Sequence, residues 1–337
     1  MSPFRTYPAL LLALIIWTTG QASPLFDDVT VLEMTIEGPL STVIDDAVER
    51  RQQAFSIGVE GEETEVSVRM RGKSRVVHCR FPPLRLNFAA EDVVDSVFDG
   101  QDKLKLVTHC KNSQEYESNV LEEYAAYQIL NVLTDLSFRT RLLRIRYVDT
   151  DEPQQEPITR FGFVVESDEE LAARVGGEAF LVRNVTRSML DERHAALIFV
   201  FHYLIGNTDW SLVRYIDDEH CCHNGKLLSI GETNYYIPYD FDMSGLVNAR
   251  YARPQPDLRL RSVRVRRYRG YCTDSVTLEE ALEAVVSHRN EILAVIADLP
   301  GLREKDRSKQ IRYIEGFIET ADSQAAKLLK EFERRCL

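Results

Sequence analysis

Three aspartates stand where a carboxylate can be held still and yet reach solvent. Asp209 ends the segment FHYLIGNTDWS (201–211), behind an apolar run that breaks on Gly206-Asn207-Thr208. Asp240 and Asp242 end the segment YYIPYDFD (235–242), a short apolar strand, with Phe241 between them. A glycine bounds the pair of motifs at each end, Gly206 and Gly245. Phosphoryl transfer asks little covalent chemistry of a protein. It needs a base or positioning carboxylate for the attacking hydroxyl, a metal against the phosphates and cations on the nucleotide. Asp209 fits the first task. Asp240 and Asp242 fit the second, because Mg²⁺ takes one or two carboxylates and keeps several waters. Asn224, in the loop between the motifs, offers a further oxygen ligand. A single Asp more often caps a turn or a helix. Two such motifs, each behind an apolar segment, favour chemistry.

The elements that must hold these residues divide into two kinds. Residues 27–38 alternate apolar and polar, as do Val66, Val68 and Met70, and both read as strands. Residues 41–54 read as a weak helix, and Gly72-Lys73-Ser74 as a tight turn. Residues 76–88 read as a returning strand broken at Pro82-Pro83. KLKLVTHC (103–110), 141–148 and 161–166 complete the strands, and 113–134 is a strong helix. A hinge rich in Glu and Gly follows at 167–178, and after it the chain is mainly helical: 188–205, 277–297 and 306–335. The order predicts an α+β chain of two lobes. Between them, Arg250 to Arg269 holds eight arginines, which suit either a solvated loop pairing with acids or a clamp for an anionic substrate.

Residues 1–22 read as a signal peptide, with Arg5, an apolar run from Ala9 to Trp17 and small residues at Gly20-Gln21-Ala22. That run is about half of the ~20 residues a spanning helix needs, so no anchor is expected after cleavage. Six cysteines in an exported chain favour disulfides, with Cys79 and Cys110 the first candidates because both sit on the strand set. Adjacent Cys221 and Cys222 are expected to find distant partners or stay free. Zinc at Cys221-Cys222-His223 lacks a second ligand pair. The net charge of −12 argues against general nucleic-acid binding.

GNTD followed by a DxD-type strand end resembles kinases of the HipA type. Over roughly residues 60–250 the chain also resembles the spore-coat CotH kinase-like family: VRMRGKSR, FPPLRLNF, DKLKLV, VLEEYAAYQIL and FGFVVES occur in order. The resemblance implies a protein-kinase-like bilobal fold, with a sheet-rich N-lobe carrying one long helix (23–166, nucleotide-binding) and a mainly helical C-lobe (167–337, catalytic loop and metal-binding DFD). It implies ATP and Mg²⁺ (or Mn²⁺) as cofactors. Asp209 becomes the catalytic base, Asp240 the main metal ligand and Asp242 its assistant. Lys105 becomes the lysine on the α- and β-phosphates, and Glu123 its ion-pair partner, with Glu122 the neighbouring alternative. Val165 and Glu166 fall at the adenine hinge, and Gly72, Lys73 and Ser74 over the phosphates. The family pattern has Asn five residues after the catalytic Asp, where this chain has Arg214; Asn224 could replace it.

The function expected is therefore an exported kinase, periplasmic or secreted, acting on an unidentified protein or envelope acceptor. A kinase-like binding module without turnover and a metal-dependent hydrolase or nucleotidyltransferase are the alternatives.

Overall fold

The computed structural model describes residues 24–72, 75–213 and 219–337. The expected leader, Lys73 and Ser74 of the phosphate turn, and Arg214 lie outside the described residues. In chain order the principal elements begin with α1 (Pro24–Asp27), β1 (Leu32–Gly38), α2 (Leu40–Asp45), β2 (Gln53–Val59), β3 (Glu62–Met70) and α3 (Arg75–His78). Next come β4 (Leu84–Asn87), β5 (Lys103–Val107), α4 (Gln114–Leu133), β6 (Thr140–Asp149), β7 (Ile158–Val165), α5 (Asp168–Val175) and β8 (Glu178–Phe180). The remainder are α6 (Glu192–Ile205), β9 (Gly225–Ile230), β10 (Thr233–Pro238), α7 (Ser275–Ser287), α8 (Arg289–Ala297), α9 (Glu304–Ser323) and α10 (Ala325–Arg335).

Strands β1 to β7 close into a barrel in the order β1-β2-β3-β4-β5-β7-β6. Strict alternation sends Met34, Ile36, Phe55, Ile57, Val66, Val68, Leu84, Leu86, Leu104 and Leu106 inward, where they form one apolar core. The outward positions of the same strands carry Arg69, Arg85 and Lys105, opposite one another across β3, β4 and β5.

The barrel corrects the expected protein-kinase-like bilobal α+β fold, which asks for a sheet-rich N-lobe with free edges. Two features close this sheet. Gln53–Val59, expected in part as the end of a helix over 41–54, is strand β2; Phe55, Ile57 and Val59 point inward at every second position. Strand β1 then pairs in parallel with β6, from Leu32 opposite Leu143 to Gly38 opposite Asp149. Closure removes the unpaired edges an open sheet would leave.

Helix α4 is buried on nearly all sides, from Ser118 to Leu130. That burial takes in Ser118, Glu122 and Glu123, whose side chains are hydrogen-bonded, and α4 packs on β7, β6 and α8. Its core joins the outer face of β5 and β7 to α6, α7 and α9. Two expected long helices are each divided, one at His288 between α7 and α8, the other at Gln324 between α9 and α10. The expected strand over 76–88 shrinks to β4, because Pro82-Pro83 leaves a helical turn, α3, in front of it. No described helix is long and apolar enough to cross a membrane.

Three disulfides are present. Cys79 bonds Cys110, as expected, and Cys272 bonds Cys336. Cys221 and Cys222 bond each other, against the expectation of distant partners or free thiols. Their main chain is tied down by the Cys221 amide, which donates to the Val182 carbonyl.

Candidate functional site

The two aspartate motifs are brought together by their glycines. Helix α6 starts on Asp191, whose side chain accepts the His194 amide at 2.8 Å, and ends on Gly206 in the left-handed region at φ 66°. Here glycine serves twice, because a left-handed C-cap suits a residue without Cβ and because a Cβ would stand only 3.3 Å from the Gly245 Cα; the Gly245 amide donates to the Gly206 carbonyl at 3.0 Å. The Leu246 amide donates to the Ile205 carbonyl at 2.9 Å. The GNTD turn and the chain after DFD are thus hydrogen-bonded side by side. Asp240 itself sits at φ 62°, a conformation Asp tolerates better than most residues. Its amide donates to the Tyr127 hydroxyl on α4 at 2.8 Å.

A cleft of about 600 Å³ opens between the barrel and the helical layer. Apolar side chains wall one part of it: Pro83, Val107, Phe138, Val165 and Tyr239. Charged side chains line the rest: Arg71, Arg75, Lys105, Glu123, Asp240 and Asp242. Lys105 lies 5.8 Å from the Phe138 ring centroid and 5.6 Å from that of Tyr239, a cation–π placement.

The pairing within the cleft differs from the expected lysine–glutamate pair. Lys105 Nζ bonds Asp168 Oδ1 at 3.1 Å, and Lys226 Nζ bonds Asp168 Oδ2 at 2.6 Å. Burial lowers the Lys105 pKa against the pull of Asp168. Glu123 instead receives Arg75, Nη2 to Oε2 at 2.5 Å. The same guanidinium donates from Nε to Asp242 Oδ2 at 2.8 Å, and its Nη2 lies 4.0 Å from Asp240 Oδ1. Asp242 also accepts the Tyr251 hydroxyl at 3.0 Å. Burial opposes the charge of Arg75, but Asp242 and Glu123 more than offset it and hold its pKa well above the usual value. Burial raises the Glu123 pKa, with Arg75 acting against the shift and Asp242 adding to it. The Asp240 pKa is raised too, by its enclosed place and then by Asp242; Asp209 is near enough to contribute. The Asp240 side chain nevertheless keeps 44% of its surface open to solvent.

Asp209 does not line this cleft; it lies beside it, held by three donors. Asn224 Nδ2 donates to its carbonyl at 2.7 Å and to Oδ2 at 3.0 Å. Gln255 Nε2 donates to Oδ1 at 2.7 Å, and His223 Nε2 lies 3.2 Å from the same oxygen. Asn207 sets the turn by accepting the Asp209 amide at 2.9 Å, while its own Nδ2 meets His202 Nδ1 at 3.2 Å. Asn224 is therefore bonded to the expected base, not to Asp240 or Asp242. Among the described residues no group of three or more His, Cys, Asp or Glu is arranged to hold a metal ion. Where the carboxylates of Asp240, Asp242 and Glu123 converge, a guanidinium stands between them. The residues present do not fit a divalent cation in this arrangement.

Of the other expected positions, Gly72 lines the cleft at φ 95°. Val165 lines it as well, but Glu166 turns away: its carboxylate accepts Arg174 at 2.8 and 2.9 Å and the Arg139 amide at 2.9 Å. The Glu166 amide is spent on the Arg139 carbonyl, also at 2.9 Å. Glu122 faces the helical layer, where Gln310 and Asn119 donate to it at 2.5 and 3.0 Å. The arginine-rich stretch follows neither expected use as a whole. Arg264 donates to the Gly245 carbonyl at 3.2 Å, Arg266 to the Leu204 carbonyl at 3.1 Å, and Arg269 to the Thr208 and Trp210 carbonyls. These three arginines fasten the loop onto the aspartate turns. Sequence reasoning missed Arg71, Arg75, Asp168, His223 and Gln255 as members of this neighbourhood. The signal for the first two was the density of cations in RMRGKSR (69–75).

No protein-family profile matches the chain, and no curated protein matches it. Among solved structures the chain is similar to the crystal structure of a Helicobacter pylori proinflammatory kinase, CtkA, at a TM-score of 0.39 and 12% identity. The likeness covers 83% of this chain and 97% of the other. It is a weak structural neighbour, and at that score it carries no argument about this chain's activity.

Proposed function

We propose that the cleft binds a nucleoside triphosphate, ATP in the first instance, and that the chain transfers the terminal phosphoryl group to a protein or envelope acceptor outside the cytoplasm. The observation that carries this reading is the make-up of the cleft. An apolar slot between Val107, Val165, Phe138 and Tyr239 adjoins Arg71, Arg75 and Lys105. A base is an apolar plate and a triphosphate a row of anions, so a nucleotide matches both halves. The acceptor hydroxyl would attack the terminal phosphorus as the bond to the bridging oxygen breaks. Asp209 would orient that hydroxyl and take its proton. The disulfides and the lack of a described spanning helix are compatible with an exported protein.

A second reading, nucleotide binding without turnover, is favoured by one observation. Both carboxylate oxygens of Asp209 already have neighbours, Gln255 and His223 on one and Asn224 on the other. The test is binding of a fluorescent ATP analogue together with transfer from γ-labelled ATP to an extract of exported proteins. Transfer abolished by Asp209→Ala, with binding kept, supports the kinase reading. Lys105→Ala should weaken binding itself. Binding without any labelled acceptor supports the second reading, and phosphate release without an acceptor points to a hydrolase. No nucleotide binding at all rejects the proposal.

A further inference from the structure

We propose that Arg75 is the resident cation of the carboxylate cluster, and that this site binds phosphate through its guanidinium and not through a divalent metal. Three carboxylates from two separate elements converge on one side chain: Glu123 from α4, and Asp240 and Asp242 from the chain after β10. With Arg75 only 9% exposed and Asp242 and Glu123 at 7% and 3%, these charges have little water to fall back on. A planar guanidinium has five N–H donors, which is enough to serve several carboxylates at once. Mg²⁺ would need oxygens at about 2.0–2.1 Å in octahedral array. The guanidinium fills the space between the same oxygens, so metal and arginine are alternatives.

The arginine is also held in place from behind. The segment between β3 and β4 is closed at one end by the Arg71 amide on the Pro83 carbonyl at 2.9 Å. Its helical turn α3 runs straight into Cys79, which is bonded to Cys110 beyond β5. Withdrawing Arg75 would leave three carboxylates facing one another, and would move a segment stapled to the barrel. The side-chain hydrogen bonds of Arg75 among the described residues come from Nε and Nη2, and Arg75 lines the cleft with Arg71 and Lys105. That gives the site three cations for a phosphate chain.

The phosphate part of this proposal rests on the nucleotide reading; the metal part does not. The test therefore has two arms on the full oxidised chain. In the first, Mn²⁺ alone is titrated and followed by electron paramagnetic resonance and by thermal melting. Wild type should show no saturable Mn²⁺ site and no Mn²⁺-dependent rise in melting temperature. Arg75→Gln should gain a single Mn²⁺ that stabilises it, and adding Asp242→Asn should remove that site. Arg75→Lys, which keeps a charge, should stay metal-free, and decides the matter with wild type if Arg75→Gln does not fold. Saturable Mn²⁺ binding to wild type that Asp242→Asn abolishes overturns the proposal. In the second arm, ATP binding is compared with Mg²⁺ and with EDTA. Equal affinity is expected; a loss of about tenfold or more in EDTA overturns the proposal while leaving the nucleotide reading intact. Absence of ATP binding in both conditions sinks the nucleotide reading and the phosphate role with it, and the Mn²⁺ arm still decides which cation the carboxylates hold.

Discussion

Removing the two ends of the Arg75–Glu123 pair should have very unequal effects. Arg75→Gln leaves Glu123 and Asp242 buried without their cation. Both carboxylates touch the same guanidinium, at 2.5 and 2.8 Å, so they lie roughly 5 Å apart and, at a pH where both are ionised, repel by about 3 kcal/mol at an effective dielectric of about 20. Breaking a buried pair by deleting one partner generally costs about 3–5 kcal/mol, and the two figures agree. Asp240, with 44% of its side chain exposed, is screened by solvent and is left out of the sum. Glu123→Gln is different, because the guanidinium keeps Asp242 and Tyr251 stays on that carboxylate. Its cost should be about 1.5–3 kcal/mol, that of one charge-assisted hydrogen bond. The assay is urea unfolding followed by Trp210 fluorescence on the chain from residue 24 onward. Raising the pH should widen the gap between the variants. Burial already raises the Glu123 pKa and Arg75 acts against that shift, so without Arg75 Glu123 holds its proton more tightly folded than unfolded, and the stability of Arg75→Gln is fullest at low pH and is lost as pH rises through the folded Glu123 pKa. Equal costs for the two variants, or a loss under about 1 kcal/mol for Arg75→Gln, would refute the charge count.

Two further predictions concern stability. Burial pushes His109 down to about 3 and His194 down to about 4. The unfolded chain therefore takes up these protons first, and their contribution is full above the unfolded pKa near 6.5 and is lost as pH falls towards 3. Because Glu122, raised by burial to about 7, runs the opposite way, the clean measurement is wild type against His109→Phe. That variant also removes two nitrogens with no hydrogen-bond partner among the described residues, in a ring 4.4 Å from Phe81, so it should gain on wild type as pH falls from 7 to about 4.5; a pH-independent difference rejects the reasoning. Gly245→Ala sets a methyl 2.6 Å from the Val263 carbonyl oxygen and should cost about 1–3 kcal/mol by overpacking. Gly231→Ala, at φ 60° but with open space around it, should cost about 1 kcal/mol from backbone strain alone. Urea midpoints compare them, and Gly231→Ala being the worse of the two contradicts the clash.

Local patterns in the sequence carried most of the strands and the approach of the two aspartate turns. Met34 and Ile36 of β1, and Val66, Val68 and Met70 of β3, alternate because one face is buried, and that is visible without a structure. The Cys79–Cys110 bond was expected from reading both residues onto the strand set; the bond is present, although Cys79 follows α3 and Cys110 lies beyond β5. Barrel closure was not legible, since it depends on β1 lying beside β6, a pairing with no local signature. Nor was Arg75. A family pattern assigns the glutamate of α4 to the strand lysine, but here Lys105 has Asp168 and Lys226 as neighbours, and an arginine from the turn region reaches Glu123 instead. Which cation meets which carboxylate is decided by tertiary geometry at the scale of an ångström, and spacing along the chain does not contain it.

The arginine-rich stretch bears on where an anion can go. Eight arginines in a loop suggest an anion clamp when only composition is known. Arg264, Arg266 and Arg269 are instead engaged by main-chain carbonyls, and Arg264 and Arg266 also stack on Tyr313 with centroid distances of 4.0 and 3.8 Å. Arg250 is paired with Glu115 at 2.7 Å. Guanidinium donors committed to carbonyls at the ends of α6 and the GNTD turn make the aspartate turns rigid, and they cannot leave for a ligand without unfastening those turns. The cations with capacity for an anion are on the barrel side. Among the described residues, Arg71 lines the cleft with no carboxylate in ion-pair contact, and the Nε of Arg85, opposite Lys105, is buried without a hydrogen-bond partner. Like charges opposed across strands are destabilising, and Arg69, Arg85 and Lys105 are so opposed. Of these three only Lys105 lines the cleft, so an anion bound there would relieve the Lys105 part of that repulsion. Anion affinity should therefore be sensitive to Arg71 and Lys105 and indifferent to Arg264 and Arg266, except through the shape of the turns they hold.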